Sequence, residues 1–254
     1  MTKRLIARLD VKGSRLIKGV SFEGLRVLGS AQDFAARYYE QNIDEIFFVD
    51  AVASLYGRNS LVEILSQVAG KVFVPIVAGG GIRTVEDARR LLESGADKVA
   101  VNTAAIERPR LISEIAGRFG SQCVVLSVQA KRVSIGWECY TEGGREHTGV
   151  DAASWIKRGV ELGAGEILVT SVDRDGTHRG LDTELIGAVA AAVPVPLIVG
   201  GGVGTGEDVV NGYESGTDAV AVGSAFHYRR LSIGEVRRTC RSRGISLREI
   251  TEPD

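Results

Sequence analysis

The chain has 254 residues, of which 44% are hydrophobic and 25% are charged, and its formal net charge is −1 at pH 7. This length favours one large domain, and the balanced charge argues against nucleic acid or a membrane as a partner. The three cysteines form no close pair, which argues against a disulfide framework and predicts a cytoplasmic location. No apolar run approaches the ~18 residues of a membrane span, and MTKRLIARLD is not expected to be a signal peptide.

Short runs rich in Val, Ile and Leu alternate with helical segments along the chain. The predicted strands are Arg4–Asp10, Glu45–Asp50, Val74–Ala78, Lys98–Asn102, Cys123–Gln129, Glu166–Ser171, Leu197–Gly200 and Ala219–Gly223. Helices are predicted between them, among others at Val85–Glu93, Arg108–Arg118 and Asp151–Glu161. Eight such units predict an α/β fold, a single (β/α)8 TIM barrel over residues 1–254, with its function on the loops after the strands. An open, doubly wound sheet is the alternative.

Two segments of the chain are near copies of each other. Residues 79–105, GGGIRTVEDARRLLESGADKVAVNTAA, align without a gap to residues 200–226, GGGVGTGEDVVNGYESGTDAVAVGSAF, at an offset of 121 positions. A duplication of this size predicts two similar half-barrels, approximately 1–121 and 122–245, with two similar binding sites. It also favours a closed barrel over an open sheet.

Glycines and small polar residues follow four of the predicted strands. Gly79–Gly81 and Gly200–Gly202 follow strands three and seven, and Asn102–Thr103 and Gly223–Ser224 follow strands four and eight. Glycine lets backbone N–H groups approach an anion closely, and the loops after strands seven and eight often bind phosphate in such barrels. The repeat therefore predicts a ligand with a phosphate at each end. The alternative is that the glycines only allow tight turns.

Strand alternation puts Ile6, Arg8 and Asp10 on one face of the first strand. If that face lines the barrel, Asp10 lies at the mouth between the two glycine sites, where a carboxylate could transfer protons. The alternative is a helix cap or a loop salt bridge. Gln129 holds the symmetric position in strand five and, being neutral, cannot act as a general base. Arg8 would pair with Asp10 or bind an acidic group of the ligand.

Four charged residues stand at strand starts, which converge on the bottom face of a barrel: Arg4, Glu45, Lys98 and Glu166. Two cations and two anions could close a ring across the bore. One interpretation is a salt-bridged floor that stabilises the fold, and the other is a gate for a small neutral molecule.

Two further segments lie near the predicted mouth. Lys131–Gly149 alternates apolar and polar residues around a Gly–Gly pair, which predicts a β-hairpin folded over the mouth. Asp175 and Gly176 follow strand six, where phosphate-binding loops occur, although Asx-turn chemistry is an equal alternative. The three histidines show no metal-ligand spacing, so neither a metal nor another cofactor is predicted.

Essentially the whole chain resembles the cyclase subunit of imidazole glycerol phosphate synthase. The resemblance rests on LDVKGSRLIKG, FEGLR, VAGGGIRTVEDARRLLESGADKVAVNTAA, RFGSQ, GAGEILVTSVDRDGT, GGGVG and AVAVGSAFH. It implies a barrel of two halves that pairs with a glutaminase docked at the barrel bottom. Ammonia would cross the bore to a bis-phosphorylated ribulosyl intermediate and yield imidazole glycerol phosphate and an aminoimidazole carboxamide ribotide.

The resemblance assigns roles to individual residues. Asp10 matches the first catalytic aspartate, and Lys18 matches a lysine of a mobile loop. One phosphate site would comprise Gly81, Asn102 and Thr103, and the other Asp175, Gly176, Gly201, Gly202, Gly223 and Ser224. The four charges at the strand starts match the family's ammonia gate.

The chain departs from this pattern at two positions. Gln129 stands where the family has its second catalytic aspartate, and Arg8 replaces a small residue. The segments RLDVKG, ASLYGRNSL and GWECYTEGGREHTG are closer to a paralogous branch associated with amidation of surface-polysaccharide sugars. We therefore expect an ammonia-using synthase subunit of that branch, working with a glutaminase and a separate sugar amidotransferase. The alternatives are a genuine cyclase subunit of histidine biosynthesis and a catalytically silent scaffold that conducts ammonia.

Overall fold

The computed structural model describes residues 2–53, 61–191 and 193–248. The strands of these ranges are β1 Arg4–Lys12, β2 Arg15–Val20, β3 Glu23–Ser30, β4 Glu45–Asp50, β5 Ile76–Gly79, β6 Lys98–Val101, β7 Val124–Arg132, β8 Trp137–Thr141, β9 Glu146–Asp151, β10 Glu166–Ser171, β11 Leu197–Gly200 and β12 Ala219–Val222. The helices are α1 Ala31–Glu40, α2 Leu61–Val68, α3 Val85–Glu93, α4 Thr103–Glu107, α5 Arg110–Phe119, α6 Ala152–Glu161, α7 Thr183–Ala190, α8 Gly206–Glu214, α9 Ser224–His227 and α10 Ile233–Ser242.

Eight parallel strands form a closed barrel. They pair in the order β10, β11, β12, β1, β4, β5, β6 and β7, and a further parallel pairing of β7 with β10 closes the circle. The prediction of a (β/α)8 barrel is thus confirmed, and the open sheet is excluded. Because the carboxyl ends of parallel strands meet at one face, the residues that end these strands share one mouth.

The apolar core has two parts, as the two faces of each strand require. The larger cluster joins the outward faces of the strands to the surrounding helices. The smaller one fills the bore with Ile6, Phe47, Val77, Ala100, Val125, Leu168, Ile198, Ala219 and Ala221. This layer separates the polar residues at the mouth from those at the floor.

The sequence repeat is also visible in local hydrogen bonds. Thr84 and Asp87 form a capping box at the start of α3, with each side chain bonded to the other residue's backbone N–H. Thr205 and Asp208, 121 positions later, form the same box at the start of α8. The same offset relates two further bonds, from Ile76 N to Asp97 Oδ2 and from Leu197 N to Asp218 Oδ2.

Two hairpins extend from the barrel on the side of the mouth. The hairpin predicted in Lys131–Gly149 is confirmed, since β8 pairs antiparallel with both β7 and β9. A second hairpin, β2–β3, pairs with the end of β1 and was not predicted. The reason is that both strands are interrupted by glycine, at Gly19, Gly24 and Gly29, and glycine is depleted in strands.

The predicted strand limits need small corrections. The third barrel strand begins at Ile76 rather than Val74, because Pro75 has no N–H to donate to a ladder. The first strand continues past Asp10 to Lys12, where it pairs with β2. The segment ASLYGRNSL falls mostly on residues 54–60, which lie outside the described residues. Among the helices of the described ranges, none is long and apolar enough to cross a membrane.

Candidate active site at the barrel mouth

Arg8 and Asp10 point into the mouth from the inner face of β1, as strand alternation predicts. Both are buried, at 5% and 4% exposure. Arg8 Nε donates to Asp10 Oδ1 at 3.0 Å, and Arg8 Nη1 donates to Thr170 Oγ1 of β10 at 2.8 Å. The Arg8 side chain therefore lies across the bore just above the apolar layer.

Lys18 completes a buried ion network with Asp10. Its Nζ donates to Asp10 Oδ2 at 2.9 Å and to Asp175 Oδ2 at 2.9 Å. The residue that resembles the mobile-loop lysine of the family thus lies on β2, with its ammonium group inside the mouth. Because Arg8 adds the second cation, two positive and two negative groups balance within this network.

The charges in this network fix the protonation of Asp10. Burial alone would raise the pKa of Asp10, but the Arg8 guanidinium and the Lys18 ammonium outweigh it and hold the pKa well below its ordinary value. Burial likewise would lower the pKa of Lys18, yet Asp10 and Asp175 raise it. Both groups are therefore ionised at neutral pH, and Asp10 is a weak base while the network is intact.

The first predicted phosphate site opens into a cavity of about 200 Å³. Gly79–Gly81, Asn102 and Thr103 line it, together with the β8–β9 turn, whose Glu142 N–H donates to Thr103 Oγ1 at 3.4 Å. Gly80 has φ +99°, and a Cβ there would lie 2.3 Å from the Asp50 carbonyl oxygen. Only glycine permits this close approach of two backbones.

The second predicted phosphate site is divided between two cavities. The smaller, lined by Gly176, Gly201, Gly202, Gly223 and Ser224 with Lys18 and Asp175 in its wall, measures about 20 Å³, and Lys18, Gly176 and Ser224 also line a cavity of about 990 Å³. Gly201 has φ +93°, and a Cβ there would lie 2.7 Å from the Ser171 carbonyl oxygen. This contact repeats that of Gly80 with Asp50 at the offset of 121. The two sites share one backbone design, but in the second Lys18 lies in the wall of both cavities.

Gln129 and Asp10 do not contact one another, although they occupy symmetric strand ends. Gln129 lines the first cavity, is 8% exposed, and has no hydrogen-bond partner for its Oε1. Asp10 lines neither this cavity nor the one of about 20 Å³, whereas Arg8 lines both. Arg8 therefore separates the one carboxylate from the cavity that Gln129 faces.

Two contributors to the mouth were not predicted from the sequence. Thr170 receives a hydrogen bond from Arg8, and strand alternation from Glu166 through Leu168 would have placed it inside the barrel. His178 Nε2 lies 2.7 Å from Ser224 Oγ, and its φ of +57° is unusual for a residue with a side chain. No sequence pattern marked His178, because its contact depends on the path of the loop after β10.

The four predicted floor charges form a closed ring at the other end of the bore. Arg4 contacts Glu45 and Glu166, and Lys98 Nζ lies 3.3 Å from Glu45 Oε1 and 2.6 Å from Glu166 Oε2. Burial would lower the pKa of Arg4, but the two carboxylates outweigh it and raise that pKa. For Glu45, burial outweighs the two cations, so its pKa is also raised. The balance differs because the Glu45 side chain is 1% exposed and that of Arg4 25%.

The fold and the mouth together define the class of protein: a closed (β/α)8 barrel with two glycine-lined sites, buried charges between them and an ionic ring beneath. Comparison with known proteins narrows this class. The chain belongs to the histidine biosynthesis protein family, whose model matches residues 4–232.

Two curated relatives are close in sequence. The chain is 49% identical over 252 residues to the imidazole glycerol phosphate synthase subunit HisF of Mycobacteroides abscessus, an alignment that covers 96% of this chain and 98% of the relative. It is 57% identical over 206 residues to the subunit of the same name from Legionella pneumophila, covering 81% and 97%. Neither name refers to polysaccharide synthesis, so the expectation of that branch gains no support from them.

Proposed function

We propose that this chain is the ammonia-using synthase subunit of an imidazole glycerol phosphate synthase. It binds a bis-phosphorylated ribulosyl ligand at the mouth and receives ammonia from a glutaminase subunit docked at the floor. The observation that carries the proposal is the pair of glycine-lined sites related by the 121-residue repeat, with Arg8 extending between their cavities. The names of the two relatives favour this function over amidation of a polysaccharide sugar.

The bore supports passage of a small neutral molecule. Its middle layer is apolar, and an unpaired ion pays a large desolvation cost in such surroundings. Ammonia would therefore cross this layer as NH3 rather than as NH4⁺. The ring of Arg4, Glu45, Lys98 and Glu166 closes the entrance, so at least one of its ion pairs must open for each molecule that enters.

Of the two catalytic aspartates that the resemblance implies, this chain has Asp10 and carries Gln129 in place of the other. Lys18 and Arg8 are fixed cations suited to the phosphates and to negative charge that develops in the reaction. Gln129 can orient a group but cannot accept a proton. We therefore expect cyclisation at a rate orders of magnitude below that of a relative with two carboxylates, since each positioned acid or base contributes about 10²–10⁴-fold.

One observation favours a second candidate function. Gln129 and Arg8 both depart from paired acid–base chemistry, and this suits delivery of ammonia to another phosphorylated acceptor, such as an intermediate of sugar amidation. In that case a separate amidotransferase would complete the reaction. A scaffold that only conducts ammonia is the limiting form of this candidate.

Turnover of the ribulosyl ligand separates these candidates. The purified subunit is assayed with ammonium salts alone, and then with its glutaminase and glutamine. Product formation that disappears in Asp10→Asn and rises in Gln129→Asp supports the synthase. Absence of product in both assays, with glutaminase stimulation retained in Asp10→Asn, would contradict the synthase and support the scaffold. Failure to bind any glutaminase would contradict every candidate that receives ammonia.

A further inference from the structure

The first cavity contains two of the five buried side-chain polar atoms that lack a hydrogen-bond partner in the described part of the chain. These two are Asn102 Oδ1 and Gln129 Oε1, and both residues line the cavity. A buried polar atom without a partner has lost its hydrogen bonds to water and gained none in return, which is unfavourable. Two such atoms in the wall of one cavity indicate that a ligand supplies their partners.

Both oxygen atoms belong to neutral amide side chains, and the hairpin of β7 and β8 positions both residues. Asn102 Nδ2 donates to the Tyr140 carbonyl oxygen at 3.3 Å, so the acceptor Oδ1 is the atom left without a partner. Gln129 is the register partner of Tyr140 in the pairing of β7 with β8. The hairpin therefore places two amide side chains at one wall, and their unpaired oxygens require N–H or O–H donors from the ligand.

Arg8 restricts the charge of that donor. Gln129 is the register partner of Thr170, and Thr170 Oγ1 accepts a hydrogen bond from Arg8. A permanent positive charge therefore lies beside Gln129 and disfavours an ammonium or a protonated amine there. The lining also contains a second cation, Arg83, and three carboxylates, Asp50, Glu107 and Glu142. Arg8 therefore acts on the donor through its position beside Gln129, and not through the net charge of the cavity.

We propose that Asn102 and Gln129 bind a neutral N–H group of a phosphorylated ligand whose phosphate occupies the neighbouring site of Gly80, Gly81 and Thr103. The donor is either a carboxamide of the ligand itself or the ammonia that enters through the bore. Gln129 is thus a positioning residue selected for neutrality. A carboxylate at this position would pair with Arg8 or take up a proton, and an amide does neither. The inference rests on the proposed function and specifies the ligand chemistry of its first site.

Binding of two probes tests the proposal. Aminoimidazole carboxamide ribotide carries a phosphate and a neutral carboxamide, and ribose 5-phosphate carries the phosphate alone. If the donor is the ligand's carboxamide, calorimetry should show that Gln129→Leu weakens binding of the carboxamide ribotide about fivefold and leaves that of ribose 5-phosphate within about twofold. Ser127→Ala, on the same face of β7 and in the same cavity wall, is the matched control and should change neither probe. Thr103→Val should weaken both probes alike.

A separate measurement identifies the source of the N–H group. If the donor is ammonia, Gln129→Leu raises the KM for ammonium in the turnover assay and leaves the Kd of the carboxamide ribotide unchanged. If the donor is the ligand's amide, the Kd changes and the KM for ammonium does not.

Two results would overturn the proposal. They are an equal loss of both probes in Gln129→Leu, and no change either in the two probes or in the KM for ammonium. Selective loss of the carboxamide ribotide together with no turnover would support this inference and contradict the proposed function. The two can therefore fail independently.

Discussion

Arg8 donates from Nε to Asp10 Oδ1 at 3.0 Å, two residues further along the same face of β1. Arg8 also bonds to Thr170 on the far side of the bore, and Asp10 also bonds to Lys18. Arg8 and Lys18 together therefore set the charge of Asp10. Asp10 is held as an anion with both of its oxygens occupied.

Removal of Arg8 should release Asp10 from this state. In Arg8→Met the carboxylate keeps only Lys18, so its pKa should rise towards the ordinary value, which NMR of the Asp10 carboxyl carbon measures. The free energy of unfolding should fall by about 2–3 kcal/mol, less than for a fully unpaired buried charge because Lys18 remains. Thr170→Val is the control. It removes one hydrogen bond to Arg8, should cost about 1 kcal/mol, and should leave the Asp10 titration unchanged. Equal titration of Asp10 in both variants would contradict this account.

The same ion pairs predict how acid affects stability. The folded pKa of Asp10 is depressed, so its contribution is complete above the unfolded pKa near 3.9 and is lost as pH falls towards the folded value. Denaturation of wild type and Asp10→Asn should therefore differ by a constant amount from pH 5 to pH 7. Below about pH 4 the difference should shrink. A difference that grows on acidification would show that Asp10 is not stabilised as an anion.

His227 should make the free energy of unfolding depend on pH in a less acidic range than Asp10 does. Burial lowers its pKa to about 3, and its Nδ1 lies 2.7 Å from the Tyr38 hydroxyl. The unfolded chain binds a proton near pH 6.5, so stability is complete above that pH and falls as pH drops towards the folded pKa. Between pH 6.5 and pH 4 the loss from this residue should reach about 3 kcal/mol. Urea denaturation of His227→Gln should lack this loss, whereas His147→Gln, at an exposed position, should retain it.

The ionic ring should tolerate loss of one carboxylate better than loss of one cation. Glu45→Gln removes a buried charge and leaves two cations that reach solvent, so we expect a cost below about 1 kcal/mol. Arg4→Met leaves buried carboxylates with Lys98 alone and should cost about 3 kcal/mol at pH 8. The pKa of Glu45 is already raised, so the folded state gains relative stability as pH falls through it. Arg4→Met should therefore be less harmful at pH 5 than at pH 8, as chemical denaturation would measure.

The two glycine-lined sites should bind inorganic phosphate unequally. The glycines of the first line a cavity of about 200 Å³, while Gly201, Gly202 and Gly223 of the second line one of about 20 Å³. Phosphorus NMR titration should therefore show that Thr103→Val weakens the tighter binding event at least several-fold and that Ser224→Ala affects it little. Lys18→Met widens the second site but removes a cation, and it should change only the weaker event. Equal effects of Thr103→Val and Ser224→Ala on the tighter binding event would contradict the predicted difference in phosphate affinity between the two sites.

The barrel was predictable because its strands are apolar on both faces and its repeat could be read directly. The position of Asp10 inside the mouth followed from alternation along one strand. The β2–β3 hairpin was not predictable, since glycine interrupts its strands at Gly19, Gly24 and Gly29. The sequence also could not show that Lys18 reaches Asp175, 157 positions away. Contacts that depend on two loops meeting leave no local pattern.

The ring at the floor has a consequence for how such a barrel could arise. Glu45 and Glu166 are related by the 121-residue offset, and Ala219 stands opposite Lys98 in that alignment. Ile6 pairs with Glu45 as Val125 pairs with Glu166, so the neutral Cys123 holds the position of Arg4 in the second half. If the two proposed halves were each duplicated as they now are, two first halves would bring four cations and two anions to the floor, and two second halves would bring two anions alone. Neither symmetric assembly would be electrically neutral. The floor is balanced only by joining unlike halves, so the divergence of the copies has made each dependent on the other.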